Sequence, residues 1–331
     1  MRLTRVNFKN KCILGLLLTV ITLASHAETI VFKHGNTILS GQYLKPTDDK
    51  DTKGVILFVH GDGATSYDAE GYYKLIWQPL RQNGYAIFSW DKPGVGQSTG
   101  NWLEQSMTER QDEVLAAIEV IQEKYGFNAD NTGLLGFSQA GWVVPTLAGL
   151  HSKIGFFIGI GFATNWVDQG RYFTRVKHTV AGGNANQIEQ AILSYNREID
   201  FLSTSPSYAE YVDFVGSQTM IKERFHFVLD NVQSDATQDY ERIKTPGLLL
   251  WGDDDLNVNA KKEFESWKTR QHPQITAKLI PNATHSMLDS ELFNTQEFGY
   301  KQWLMLMWYE QQALADTFIP TLVSWLEEHH K

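Results

Sequence analysis

The sequence predicts an α/β protein built on a largely parallel sheet with helices on both faces, and three observations carry that reading. Short, unbroken apolar runs recur at Val55 to Val59, Ala86 to Trp90, Gly133 to Phe137, Ile154 to Ile160 and Leu248 to Trp251. A strand covered on both faces has no polar side to present, so it reads as a continuous apolar run rather than as an alternation. Helical spacing or composition fills the intervals at Tyr72 to Gln82, Glu109 to Tyr125 and Ala140 to Leu150, which supplies the crossovers that parallel neighbours require. The composition is that of a packed globule: of 331 residues, 42% are hydrophobic and 20% charged, with 26 Gly and 9 Pro. That excludes disordered and collagen-like chains. A formal charge of −9 also argues against a uniformly basic nucleic-acid binder, whose affinity comes from neutralising phosphates.

The chain starts with a basic stretch, Arg2, Arg5, Lys9 and Lys11, followed by an apolar run from Ile13 to Ala24 and then Ser25-His26-Ala27. This is the pattern of a secretory signal peptide over residues 1–27, too short in its apolar part to span a bilayer comfortably. Cleavage after Ala27 would remove the only cysteine, Cys12, so the exported chain is expected to hold together without disulfides. The expectation is a periplasmic or secreted protein with no membrane span after cleavage.

Past that leader, Glu28 to Phe32 and Thr37 to Tyr43 read as strands joined through His34-Gly35-Asn36. The strand-helix rhythm then runs to about residue 163 and resumes at Ile243. Between them, residues 164–242 offer no buried strand and are rich in helix formers and aromatics, with Pro206 suggesting a helix start. We read that stretch as a helical insertion over a core formed by 28–163 and 243–331. Ala260 to Arg270 and Ile275 to Ile280 supply a further helix and strand.

The chemistry concentrates where strands end. Gly136-Phe137-Ser138-Gln139-Ala140 puts a serine on a tight strand-to-helix turn. Such a turn strains the backbone at the serine and tolerates only small residues two positions either side. Gly252-Asp253-Asp254-Asp255-Leu256-Asn257-Val258 follows a strand ending at Trp251, and His285 follows the strand ending at Ile280. Loops at the carboxyl ends of parallel strands are where such sheets bind ligands. His60-Gly61-Asp62-Gly63-Ala64 follows the buried strand ending at Val59. Glycines there let backbone amides approach a bound oxygen, and with the amide after the serine they can form an oxyanion hole.

On these motifs, and on Asp91-Lys92-Pro93-Gly94-Val95-Gly96-Gln97-Ser98 after the strand ending at Trp90, the chain resembles the α/β-hydrolase superfamily, in its branch of lidded esterases and serine aminopeptidase-like members. The resemblance spans essentially the whole chain after the leader. It implies an eight-stranded, mostly parallel sheet with a helical lid after the sixth strand. It also implies a nucleophile Ser138, a general base His285 and an acid best matched by Asp255, with Asp253 and Asp254 as alternatives, and oxyanion donors in the amides of Asp62 and Gln139. Asp62 departs from what that role favours: a carboxylate aimed at an oxyanion would oppose catalysis, so its side chain should face away or meet a cation. The expected activity is hydrolysis of a small-molecule carboxylic ester through an acyl-serine, with an amidase or peptidase using the same triad as the alternative and a non-hydrolytic binding protein as the reading from another class. No cofactor or metal is expected.

Other patterns carry less. The alternation Asp253, Asp255, Asn257, Asn259 suggests calcium, but an EF-hand counted from Asp253 needs glycine and glutamate where Val258 and Phe264 stand. Gly94-Val95-Gly96 lacks the third glycine and the helix of a dinucleotide site, so it reads as a turn, with Asp91 bracing its loop. The sequon Asn282-Ala283-Thr284 abuts His285, where a glycan would block the cleft.

Overall fold

The computed structural model describes residues 27–47, 51–150, 152–216 and 219–330. The basic and apolar leader, with Cys12, lies outside the described residues apart from Ala27. The strands are β1 (Ala27–His34), β2 (Thr37–Leu44), β3 (Gly54–Val59), β4 (Tyr85–Trp90), β5 (Thr132–Phe137), β6 (Phe156–Ile160), β7 (Gly247–Gly252) and β8 (Ile275–Ile280). They form one eight-stranded sheet in the order β1-β2-β4-β3-β5-β6-β7-β8. β1 and β2 pair antiparallel, as do β2 and β4, and every pair from β4 to β8 is parallel. The sheet is the largely parallel one that the sequence predicts, with the eight strands that the resemblance implies.

Every residue of β3, β4, β5, β6 and β7 is buried, which is why these strands read as unbroken apolar runs. Their side chains nevertheless alternate between two cores. Val55, Leu57 and Val59 of β3 join one core and Ile56 and Phe58 the other, as a period of two demands. Each such side chain taken from water contributes roughly 1.5–3 kcal/mol.

The helices are α1 (Lys74–Gln82), α2 (Met107–Tyr125), α3 (Val144–Leu150), α4 (Trp166–Val180), α5 (Ala185–Leu202), α6 (Tyr208–Val215), α7 (Lys222–Asn231), α8 (Thr237–Arg242), α9 (Ala260–Arg270), α10 (Ser290–Phe293), α11 (Tyr300–Tyr309) and α12 (Phe318–His329). α2, α3 and α9 bury apolar residues in the first core, and α1 and α12 in the second. α4 to α8 all fall between β6 and β7. Among the described residues no helix is long and apolar enough to cross a membrane.

Local chemistry explains where the helices depart from the sequence-based expectation. α2 starts two residues before Glu109 because Ser106 caps it: the Ser106 hydroxyl accepts from the Glu109 amide at 3.2 Å while the Glu109 carboxylate accepts from the Ser106 amide at 2.7 Å. The single helix expected over Ala140 to Leu150 is not what forms. A 3-10 turn over Ser138–Trp142 is followed by α3, with the break at Val143. Pro145, in the first turn of α3, has no N–H to continue an α-helical ladder back to Gly141. α11 and α12 have no counterpart in the sequence-based expectation. At their first turns neither Gly299 nor Thr317 makes a side-chain cap bond, and α11 has only the Gln302 side chain reaching back to accept from the Gly299 amide at 3.1 Å.

Two glycines make space for aromatic rings on neighbouring strands. Gly133 pairs with Phe156, and a Cβ on Gly133 would lie 2.2 Å from that ring; Gly247 pairs with Phe157, at 2.3 Å. Replacing Gly133 by valine should therefore overpack the centre of the sheet. The expected loss is about 1–3 kcal/mol of unfolding free energy, read as a lowered urea midpoint at unchanged m-value; an unchanged midpoint would contradict this packing.

Candidate active site

Ser138 follows directly on β5 and has φ of +48°, a left-handed conformation that side chains other than glycine adopt at a cost. The neighbours that permit the turn are small for a measurable reason. A Cβ on Gly136 would sit 2.9 Å from the Ala140 Cβ and 2.9 Å from the Phe162 ring, so nothing larger fits either position without displacement. On the other side Gly61 comes close enough that its Cβ would lie 3.4 Å from the Ser138 Cβ. The loop after β3 and the turn after β5 are thus packed against each other at one edge of the sheet.

Asp255 and His285 meet at the same edge. His285 Nδ1 donates to Asp255 Oδ2 at 2.7 Å, and the other carboxylate oxygen accepts from the amides of Asn257 at 2.7 Å and Val258 at 2.8 Å. The Asp255 side chain is fully buried and that of His285 is mostly so. Burial alone would lower the His285 pKa, but the adjacent Asp255 charge and its hydrogen bond outweigh it and hold the imidazole above the ordinary histidine value. Of the three aspartates in the loop, only Asp255 touches the histidine: Asp254 accepts from the Ser290 hydroxyl at 2.6 Å, and one Asp253 oxygen is buried without a partner.

Strand register brings the serine and the histidine to neighbouring positions. Phe137 pairs with Ile160, so Ser138 and Gly161 leave adjacent strand ends. The His285 ring lies against Gly161, where an added Cβ would be 2.7 Å from its Cε1. No hydrogen bond joins Ser138 to His285 in this structure; the bond to Asp255 occupies Nδ1 and leaves Nε2 as the nitrogen available to a hydroxyl. Catalytic hydrogen bonds commonly close only when substrate is present.

The loop after β3 is held by buried polar side chains. His60 donates from Nε2 to the Trp90 carbonyl at 2.5 Å and accepts from the Tyr73 hydroxyl at 3.1 Å. Burial lowers its pKa to about 3, so the ring is a neutral structural tie. Lys92, also buried, donates to the carbonyls of Gly61 and Gly63, each at 2.9 Å. All peptides here are trans, so holding the Gly61 carbonyl on Lys92 turns the Asp62 N–H to the opposite side. Arg110 donates to the His60 carbonyl at 2.5 Å and to Gln139 Oε1 at 2.8 Å, which joins the loop after β3 to the turn after β5. The Asp62 side chain meets a cation: Arg224 of α7 donates to both of its oxygens, at 2.8 and 2.7 Å, and Gln139 Nε2 donates to one at 3.2 Å. Desolvation works to raise the Asp62 pKa, but the Arg224 pairing prevails and keeps it below the usual carboxylate value. In the next loop Asp91 accepts from the amides of Tyr67 at 2.8 Å and Gln97 at 3.0 Å, which makes it a brace.

A cavity of about 600 Å³ opens over Ser138, lined by Asp62 and Gln139 on the sheet side and by Trp166, Tyr195, Tyr211 and Arg224 from the helices between β6 and β7. The volume suits a small molecule. Those helices are tied to the loops beneath them. Tyr172 donates to the Asp255 carbonyl at 2.8 Å, Gln169 to the Asn257 carbonyl at 2.9 Å, and Asn231 accepts from the Met107 amide at 2.8 Å. Sequence reasoning does not reach Lys92, Arg110 and Arg224 as parts of the site. Arg110 and Arg224 sit in ordinary helical stretches, and the one available signal is the unbalanced carboxylate of Asp62.

Comparison with known proteins shows the family and the fold. The family model described as serine aminopeptidase, S33, matches residues 50–292. Comparison with curated protein sequences returns no match. Among solved structures, the Pyrococcus furiosus esterase Pf2001 is similar at a TM-score of 0.56 and 14% identity, over 92% of this chain and 93% of that one. A proline iminopeptidase from Mycobacterium smegmatis gives 0.56 and 14% over 92% and 99%, and Est1E of Butyrivibrio proteoclasticus, solved with ferulic acid, gives 0.54 and 14% over 90% and 96%. At such identities the likeness is one of fold. The family match covers well over half of the sequence, and on it the chain belongs to the serine aminopeptidase S33 family of α/β-hydrolases.

Proposed function

We propose that the protein is a serine hydrolase that cleaves small carboxylic esters through an acyl-serine, with Ser138 as nucleophile, His285 as general base and Asp255 as the acid that orients it. The observation that carries this is the 2.7 Å bond from His285 Nδ1 to a buried Asp255, at the sheet edge shared with a serine at φ of +48°. A serine hydroxyl is a weak nucleophile at neutral pH, so attack on a carbonyl requires a base to take its proton as the bond forms. With Nδ1 held by Asp255, His285 Nε2 is the base, and the carboxylate stabilises the imidazolium that results. The amides of Gln139 and Asp62 are assigned to the tetrahedral oxyanion. Removing one such donor in comparable sites costs roughly 2.7–4 kcal/mol of barrier. The imidazolium then protonates the leaving alkoxide, and water repeats the cycle to free Ser138. The helices α4 to α8 act as the lid that encloses the acyl group, and the basic and apolar leader supports export.

A second reading, cleavage of an amide or peptide by the same groups, is favoured by the match to the serine aminopeptidase family. An ester series of rising acyl length set beside aryl amides decides between the two.

Ser138→Ala should lower kcat on the best ester by at least about 10³-fold and abolish labelling by a fluorophosphonate; an alanine variant retaining most of its rate would end the proposal. The pH profile follows from the direction of the His285 shift. The base must be neutral, so activity falls as pH drops through a pKa above the ordinary value of about 6.5. The same shift acts oppositely on stability. The protonated His285–Asp255 pair stabilises the fold below about pH 6.5, and that contribution disappears as pH rises through the raised folded pKa. Asp255→Asn should lower kcat by about 10⁴-fold and move the acid limb to lower pH, as measured by pH-rate profiles of kcat; an unmoved limb would mean that Asp255 does not set the titration of His285.

A further inference from the structure

The two residues assigned as oxyanion donors are joined through their side chains, and the chain of contacts continues into the helices above. Arg110 donates to Gln139, Gln139 donates to Asp62, and Arg224 grips both oxygens of Asp62. Asp62 poses an electrostatic conflict within one residue. In the role assigned to it, its amide faces a developing negative charge, and its own carboxylate is a few bonds away. In a partly desolvated site such a charge would repel the oxyanion strongly. Among the described residues, Arg224 is the only cationic side chain that bonds to Asp62.

We propose that Arg224 is a positioning residue for hydrolysis. By holding the Asp62 carboxylate in a two-point grip and against Gln139, it keeps the negative charge off the oxyanion and brings both donor loops into register, so the site is complete only when α7 is seated over it. The inference rests on the hydrolase reading above.

Arg224 is built for this task. Its guanidinium lies over the rings of Phe227, at 4.9 Å, and Trp102, at 5.9 Å, which come from α7 itself and from the loop after β4. Lys92 approaches the same Trp102 ring, with its Nζ 4.8 Å from the ring centre. The fork geometry needs arginine, because an ammonium cannot bond two carboxylate oxygens in parallel. Two of its five N–H donors are committed to Asp62, one to each carboxylate oxygen. The pair is also partly exposed, at 28% and 43% for the two side chains, and pairs of that kind contribute little to folding. Its loss should therefore register in catalysis and hardly in stability.

The test measures kcat, KM and thermal midpoint on a neutral acetyl aryl ester, too small to depend on the cavity walls, for the parent protein, R224K, R224M and the double variant D62N/R224M. R224M is expected to lose about 10-fold in kcat, part of what removing a whole donor costs, with KM and thermal midpoint little changed. R224K should fall between the parent and R224M. D62N/R224M, whose carboxylate is neutralised, should run several-fold faster than R224M. Parental kcat in R224M would overturn the inference, and so would a loss that D62N fails to relieve, since a purely structural arginine gives no such rescue. Fluorophosphonate labelling of the parent keeps the two claims apart: a parent that neither labels nor turns over esters defeats the hydrolase reading and this inference with it, whereas a labelled, active parent isolates the role of Arg224.

Discussion

A serine at positive φ at the end of a fully buried strand is the constraint around which the rest of the molecule is organised. Holding a non-glycine residue in that region costs about 1–3 kcal/mol, and the turn persists because its surroundings leave it no alternative. Phe137 is locked in β5, Gly136 is pressed against Ala140 and Phe162, and Gly61 closes the opposite side. Parallel strands then do the assembling. Because β3, β5, β6, β7 and β8 run the same way, the loops that follow them emerge at one edge. That is how residues as far apart in sequence as Gly61, Ser138, Gly161, Asp255 and His285 come together.

The edge is preorganised by buried charges. Lys92 and Arg110 are nearly inaccessible, and burial of an unpaired charge is expensive. Burial pushes the Lys92 pKa well below the ordinary lysine value, with the neighbouring Arg110 acting in the same direction. The cost is offset by carbonyl acceptors on the loop after β3, and by Glu113, which accepts from Trp90 and Gln105 alongside these cations. The product is a loop whose peptide planes are set in advance of substrate.

The helices between β6 and β7 are more than a cover. They reach the acid loop through Tyr172 and Gln169, the first turn of α2 through Asn231 and the loop after β3 through Arg224. At their base, Glu263 of α9 accepts from the amide and hydroxyl of Thr164. The segment that shapes the cavity is thus bonded to the same loops that carry the candidate catalytic groups. Its seating and their alignment are parts of one arrangement.

Much of the architecture is legible in the residues themselves. Five buried strands announce themselves because a strand covered on both faces must be apolar throughout, and the elbow does so because only small residues fit around Ser138. The break at Val143 also has a local cause in Pro145, although the apolar run around it reads as one helix. The choice among three consecutive aspartates is different: the resemblance favours Asp255 but leaves Asp253 and Asp254 open, because a one-residue change in a loop redirects a carboxylate, and it is the contact with His285 after β8 that singles out Asp255. The same holds for Lys92, Arg110 and Arg224, whose partners lie tens to more than a hundred residues away. Sequence alone determined the layers, the strand ends and the small residues around the turn at Ser138, because those follow from local periodicity and steric size. Tertiary structure decided which charges meet, because an ion pair depends on where two independent backbones finish, and no local pattern encodes that distance.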